Sequence, residues 1–229
     1  MEIWTVSTFS VEEFARGNEI FVVAHRGASG SAPENTLASF RRAIASGVRM
    51  IEIDCHFTTD GRVAVLHDLE RVQQALGADR TEFSFEELSR VDAGGWFSEE
   101  FRGEKIPSLD EVLDLAKDKA FLNIEIKVNN LDSDMQKIEN LTRLVISKKM
   151  EDQVLLSSFQ HELILRIKHN HPSLHTGAIK IPGDERLPSE IAKSTGCSAF
   201  ICDIDEINRE ISDDAERNGI IVGVSRSEE

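Results

Sequence analysis

Short apolar, β-branched runs recur along this chain, and segments with helical spacing separate them. The runs are Phe21–Ala24, Met50–Asp54, Phe121–Lys127, Val154–Ser157, His175–Ile179, Ala199–Ile204 and Ile220–Ser225. Between them, one segment carries Leu37, Phe40 and Ile44, with Asn35 or Thr36 as cap and Gly47 as stop. Another carries Met135, Ile138, Leu141 and Val145, and a third carries Ile207, Ile211 and Ala215, opening at Asp205 and closing near Gly219. Strands that alternate with helices predict βαβ units and a parallel sheet. The number of repeats favours a (β/α) barrel over an open sheet, and 229 residues suit one such domain. No GxGxxG or GxxxxGK[ST] follows the first run, so neither phosphate-loop fold is supported.

Two stretches stand outside the alternation. Residues 1–18 read as an N-terminal extension, with a capping box from Ser10 to Glu13 closed by Gly17; the barrel domain is then 19–229. The stretch 69–106, after the second strand, is too long for an ordinary loop and reads as a small insert. It holds Gly77, Gly94, Gly95 and Gly103 and a short helical piece at Phe85–Val91.

Composition excludes several partners. With 26 Lys and Arg against 41 Asp and Glu, the net charge is −15, the wrong sign for a nucleic-acid backbone or an anionic membrane surface. No apolar run approaches the roughly 18 residues of a membrane span. The first residues are acidic where a signal peptide is basic. Three cysteines, Cys55, Cys197 and Cys202, make neither a disulfide framework nor a zinc site. The expectation is a cytoplasmic enzyme or binding domain.

Barrel proteins carry their chemistry at the carboxyl ends of the strands, and the ionisable residues fall there. His25-Arg26-Gly27 ends the first run, Glu52 and Asp54 the second, and Glu125 and Lys127 the third. Ser157, Ser158 and Phe159 end the fourth, while His67-Asp68 closes a short apolar run, Val63–Leu66. A spacing of two puts Glu52 and Asp54 on one side of a strand, with His56 further out and Cys55 facing the other way. Three inward carboxylates repel strongly unless a cation joins them, and oxygen ligands suit Mg²⁺ or Ca²⁺. His25 and His67 are placed to divide proton transfer between a nucleophile and a leaving group. Arg26 offers a planar fork and Lys127 a compact charge to a phosphate. His161, His169, His171 and His175 read as surface residues, and Asp205 as a helix cap.

At these residues the chain resembles the glycerophosphodiester phosphodiesterase family. The matching segments are HRGASGSAPENTLASF, EIDCHFTTDGRVAVLHD, DAGGWFSEEFRGEKIPSLDEVLDL, NIEIK and LSSF, in family order. The resemblance implies a (β/α)₈ TIM-type barrel that hydrolyses small-molecule glycerophosphodiesters to glycerol 3-phosphate and an alcohol with Mg²⁺ or Ca²⁺. By the same resemblance His25 and His67 are the acid/base pair, Glu52, Asp54 and Glu125 the metal ligands, and Arg26, Lys127 and Phe159 the phosphate and substrate contacts. Glu34 of the PENT stretch resembles a residue holding the first loop and helix. The chain departs from the family pattern at its end. Ile221–Arg226 reads IVGVSR where the family has a Trp-Thr-Val-Asn-like sequence, and the barrel is expected to stop after its seventh strand.

Two other functions share these residues. A lipid-directed phosphodiesterase of phospholipase C or sphingomyelinase D type needs an exposed apolar patch, for which Trp96, Phe97 and Phe101 are the candidates. A relative that binds phosphate esters without turnover is favoured by the shortened end.

Overall fold

The alternation read from the sequence becomes a parallel sheet curved into a barrel wall, with helices packed outside it. The computed structural model describes residues 10–17, 20–128 and 130–225. The first nine residues of the expected extension, its boundary at Asn18 and Glu19, and Arg226 with the residues after it lie outside the described ones.

The strands are β1 (Val23–His25), β2 (Met50–Phe57), β3 (Val63–Val65), β4 (Phe121–Lys127), β5 (Val154–Ser158), β6 (His175–Ile179), β7 (Ala199–Asp203) and β8 (Ile221–Ser225). The helices are α1 (Val11–Arg16), α2 (Leu37–Ala45), α3 (Leu69–Leu76), α4 (Phe85–Leu88), α5 (Leu109–Ala116), α6 (Leu131–Ser147), α7 (His161–Asn170), α8 (Pro188–Thr195) and α9 (Arg209–Asn218). Seven strands pair in the order β1-β2-β4-β5-β6-β7-β8, all in parallel. β3 is a separate hairpin arm, antiparallel to the far end of β2 with Cys55 opposite Val65. Among the described residues no pairing joins β8 to β1, and there is no eighth parallel strand. Val23 and Val224 are exposed along that open seam.

The period of two on β2 and β4 sorts their side chains cleanly. Ile51, Ile53, Cys55, Leu122, Ile124 and Ile126 face outward and are buried with Phe40, Leu113, Leu141 and Val145 from the covering helices. Glu52, Asp54 and Glu125 take the opposite face. Burial pushes the Cys55 thiol well up, as befits a packing residue.

The predicted capping box of α1 is present: Ser10 accepts from the Glu13 N–H and Glu13 accepts from the Ser10 N–H. The helix plugs the amino end of the barrel. Val11 and Phe14 pack with Met50, Phe121, Leu155 and Ala199, the first or second residues of four strands. At the same end Glu12 Oε1 lies 2.8 Å from His175 Nδ1. His175 is therefore a half-buried partner of α1 rather than a surface residue, and His171 likewise pairs with Glu139 at 2.8 Å. The His175 hydrogen bond outweighs burial and holds the Glu12 carboxyl down at about 2. Because the folded value is depressed, this stabilisation is present above the ordinary carboxylate range and is lost as pH falls toward about 2. Glu12→Gln is expected to cost about 1 kcal/mol at neutral pH and nothing at pH 2, read from urea unfolding at the two pH values.

The insert is more ordered than expected. Leu69, Val72 and Leu76 share one face of α3, a helix not expected within this stretch. The spacing of three and four between these residues, and Gly77 in the left-handed region as C-cap, were the available signals. Val72 joins Leu66, Phe83, Phe85, Leu88, Val91 and Ile106 in a separate small core. The helical piece expected at Phe85–Val91 forms α4 over Phe85–Leu88 only, and α9 opens at Asn208, which caps Ile211 N–H, rather than at Asp205. No helix among the described residues is long and apolar enough to cross a membrane.

Candidate active site

The parallel register lines up the strand-end residues. His25 lies opposite Glu52 on β1 and β2, and Asp54 opposite Glu125 on β2 and β4. Carboxylate oxygens of Glu52, Asp54 and Glu125 come within 4.8 Å of one another. Glu52 is 8% and Asp54 1% exposed, so the repulsion among them is little screened by water.

The loop after β1 wraps over this cluster. Its turn needs Gly27 at φ +84°, where a Cβ would lie 2.3 Å from Ser39 Oγ. Arg26 and Asn35 also adopt positive φ, 56° and 54°, an uncommon conformation for non-glycine residues that concentrates at functional sites. The turn aims the Arg26 N–H at Glu52 Oε2, 2.9 Å away, and lays its guanidinium between Glu34 (3.0 Å) and Asp54 (3.3 Å). Asn35, which the sequence reading weighed only as a helix cap, holds Asp54 twice. Its amide donates to Asp54 Oδ2 at 2.9 Å and its carbonyl accepts from the Asp54 N–H at 3.2 Å. The PENT segment carried the signal; the contact itself spans a loop and a strand. Asn35→Ala is expected to lower activity about 10- to 100-fold, as losing the partner of a ligand does. Titration calorimetry with Mg²⁺ or Ca²⁺ should show affinity falling by a similar factor.

His67 arrives through the β3 hairpin. The Leu66 N–H donates to the Asp54 carbonyl at 3.0 Å, which sets the His67–Asp68 turn beside the end of β2. His56 Nε2 donates to the His67 carbonyl at 3.1 Å. Burial holds the His56 ring low, and therefore neutral, so it positions His67 rather than adding charge to the rim. Asp68 Oδ1 stands 2.8 Å from His67 Nδ1, a contact without hydrogen-bonding geometry.

The charges are unevenly compensated. Burial, then the Asp54 carboxylate, pushes Glu52 well above its ordinary value. Burial also raises Glu125, against the pull of Lys127. Asp54 goes the other way: burial opposes it, but Lys127, the Asn35 amide, His67 and Arg26 together hold it low. Lys127 Nζ sits 3.1 Å from Asp54 Oδ1 and in contact with Glu125 Oε1. Two buried carboxyls pushed upward beside a third held ionised make an oxygen donor set that suits a hard cation. Burial, with Arg26 adding to it, keeps the His25 ring below its ordinary value.

Two cavities lie at or beside the cluster. A lumen of about 430 Å³ runs inside the barrel and is lined by His25, Glu52, Glu125 and Phe159. A second, of about 410 Å³, lies under the insert and is lined by Glu34, His67, Asp68, Arg71 and Trp96. Gly223 on β8, in the segment that departs from the family's Trp-Thr-Val-Asn-like sequence, lines the lumen.

Acids and cations interleaved at the carboxyl ends of parallel strands define a TIM-type barrel protein whose rim carries an acidic cluster that could hold a metal ion. The chain belongs to the glycerophosphoryl diester phosphodiesterase family, whose pattern matches residues 25–224. It is 40% identical over 162 residues to a glycerophosphodiester phosphodiesterase of Caldanaerobacter subterraneus, covering 69% of this chain and 65% of that enzyme. A glycerophosphodiester phosphodiesterase of Bacillus subtilis is 32% identical over 185 residues, covering 75% and 63%. The chain thus spans less than two thirds of the length of these two relatives. A solved phosphodiesterase of Oleispira antarctica, in complex with the product sn-glycerol-3-phosphate, superimposes with a TM-score of 0.82 at 26% identity, covering 94% of this chain and 87% of that one.

Proposed function

We propose that this chain hydrolyses glycerophosphodiesters to glycerol 3-phosphate and an alcohol, with a divalent cation, Mg²⁺ or Ca²⁺, held by Glu52, Asp54 and Glu125. The observation that carries the reading is the meeting of those three acids with Arg26, Lys127, His25 and His67 at one strand-end rim. When bound, the cation supplies Lewis-acid neutralisation of phosphate charge. Arg26 and Lys127 present the remaining positive charge, Arg26 as a planar fork and Lys127 as a point donor. His25, kept neutral by burial and by Arg26, accepts a proton from the attacking hydroxyl, and the second imidazole, His67, returns one to the departing alkoxide. Phe159 stands at the lumen mouth, where an apolar ring packs on the carbon chain of a glycerol group.

Of the rings the lipid-directed alternative relies on, Phe101 is buried, Phe97 packs edge-on against both Trp96 and Phe101, and Trp96 is exposed with Arg71 over its face.

The test pairs thermal unfolding with and without Mg²⁺ or Ca²⁺ with an enzymatic assay for glycerol 3-phosphate released from glycerophosphocholine. A cation-dependent rise in Tm together with product release is expected. A rise in Tm without product would make the protein a phosphate-ester binder and overturn the proposal.

A further inference from the structure

Both cavities adjoin the carboxylate cluster, the lumen through the acids themselves and the outer cavity through Asn35, the partner of Asp54. Glu52 and Glu125 line the lumen together with His25, while Asn35, which holds Asp54, lines the outer cavity together with His67. A phosphodiester has two ester arms leaving one phosphorus. Centred on the cluster, it sends one arm into each cavity, and each arm then runs past a different histidine.

The outer cavity has a chemical character of its own. Glu34, Asp68 and Asp92 line it against Arg71 and His67, and the exposed indole of Trp96 forms part of its wall. That indole is fixed in place: Nε1 donates to the Ala93 carbonyl at 2.8 Å, and the ring packs edge-on against Phe97 at 5.6 Å. The Arg71 guanidinium lies over its face, 4.0 Å from the ring centroid. Arg71 reaches Glu34 there at a weak 3.4 Å, and its side chain is half exposed. The loosely tethered guanidinium marks where a cation rests on a fixed aromatic face.

We propose that the outer cavity is the subsite for the departing alcohol, and that Trp96 selects cationic amino-alcohol head groups there, Arg71 giving up the ring face to them. The assignment deepens the phosphodiesterase reading above and rests on it. The glycerol arm then occupies the lumen beside Phe159 and His25, and the alcohol oxygen leaves on the side of His67. Bond making and breaking are those of ester hydrolysis. The glycerol arm's own hydroxyl attacks phosphorus and loses its proton to His25; the P–O bond to the alcohol breaks, and His67 supplies the proton to that oxygen. Water, losing its proton to His67, then opens the cyclic ester, and His25 returns its proton to the glycerol oxygen, leaving glycerol 3-phosphate. A cation over an aromatic face in a partly desolvated site is worth roughly a tenfold change in affinity.

The experiment compares kcat and KM for glycerophosphocholine and glycerophosphoglycerol in the full chain with Mg²⁺ or Ca²⁺ present. Trp96→Ala is expected to lower the kcat/KM ratio of the choline over the glycerol ester about tenfold, through KM; Trp96→Phe restores most of it. Arg71→Met moves the ratio the other way, because the ring face is vacated. Equal effects on both substrates, or a ratio the three variants leave alone, would overturn the subsite while leaving the hydrolase reading intact. Absence of turnover on either ester in the unaltered protein would instead sink the hydrolase reading, and the subsite with it.

Discussion

His67→Ala is expected to lower kcat on glycerophosphocholine by about 10³-fold, yet to lose far less on a p-nitrophenyl ester of glycerol 3-phosphate. General acid catalysis contributes roughly 10²- to 10⁴-fold, and only when the leaving oxygen needs a proton. Choline leaves as a strongly basic alkoxide; p-nitrophenolate leaves as a stable anion. A residue on the side of the departing alcohol should therefore show a steep dependence on leaving group, and His25→Ala should be equally impaired on both esters. The placement of each ring argues for this split. His25 faces the lumen with its Nε2 3.8 Å from Glu52, whereas His67 faces the outer cavity, its Nδ1 beside Asp68. Rapid-quench measurement of both variants on both esters decides it. If the two variants respond alike to the leaving group, neither cavity can be assigned to the alcohol.

Much of this site was legible before any coordinates, and the reason is local. Glu52, Asp54, Glu125 and Lys127 lie on strands whose period of two fixes their side, so their convergence needed only the strand assignments and parallel pairing. What was not legible depended on contacts between distant elements. Asn35 reaches Asp54 from a loop whose left-handed residues leave no periodic trace. His56 acts through the backbone of His67, a contact made by the antiparallel β3 hairpin and invisible in a pattern of parallel strands. The role of α1 was hidden for a related reason. Val11 and Phe14 look like any short amphipathic turn, and only the ring of strand starts beneath them makes the helix a plug. The α3 helix was missed although its spacing was present, because Leu69, Val72 and Leu76 bury against the insert's own core and not against the barrel.

Glu52→Gln should abolish activity and at the same time stabilise the cation-free protein. The two effects share one cause. Glu52 is buried against Asp54 and Glu125, and its carboxyl is pushed well above the ordinary value because burial and the Asp54 charge penalise its ionised form. A raised folded value means that stability is fully present below the ordinary carboxylate range and is lost as pH rises through the shifted value. In EDTA the unaltered protein should therefore melt lower at pH 8 than at pH 5, losing up to about 1.4 kcal/mol for each pH unit over which Glu52 ionises in the unfolded state alone. Glutamine keeps the shape and the oxygen that accepts from the Arg26 N–H but has nothing to ionise, so the melting curve flattens across that range. The same change removes one of three anionic oxygen donors from a site suited to a hard cation, and turnover is expected to fall by at least about 10³-fold, since charge neutralisation by the ion is worth several kcal/mol. Adding Mg²⁺ or Ca²⁺ should raise Tm in the unaltered protein, most strongly at high pH where all three acids repel, and barely move it in Glu52→Gln. Scanning calorimetry across pH, with EDTA and with each ion, measures every part of this. A variant that melts lower than the parent at pH 8 in EDTA would show that Glu52 supports the fold rather than straining it, and the acidic cluster would lose its claim to be a site held open for a cation.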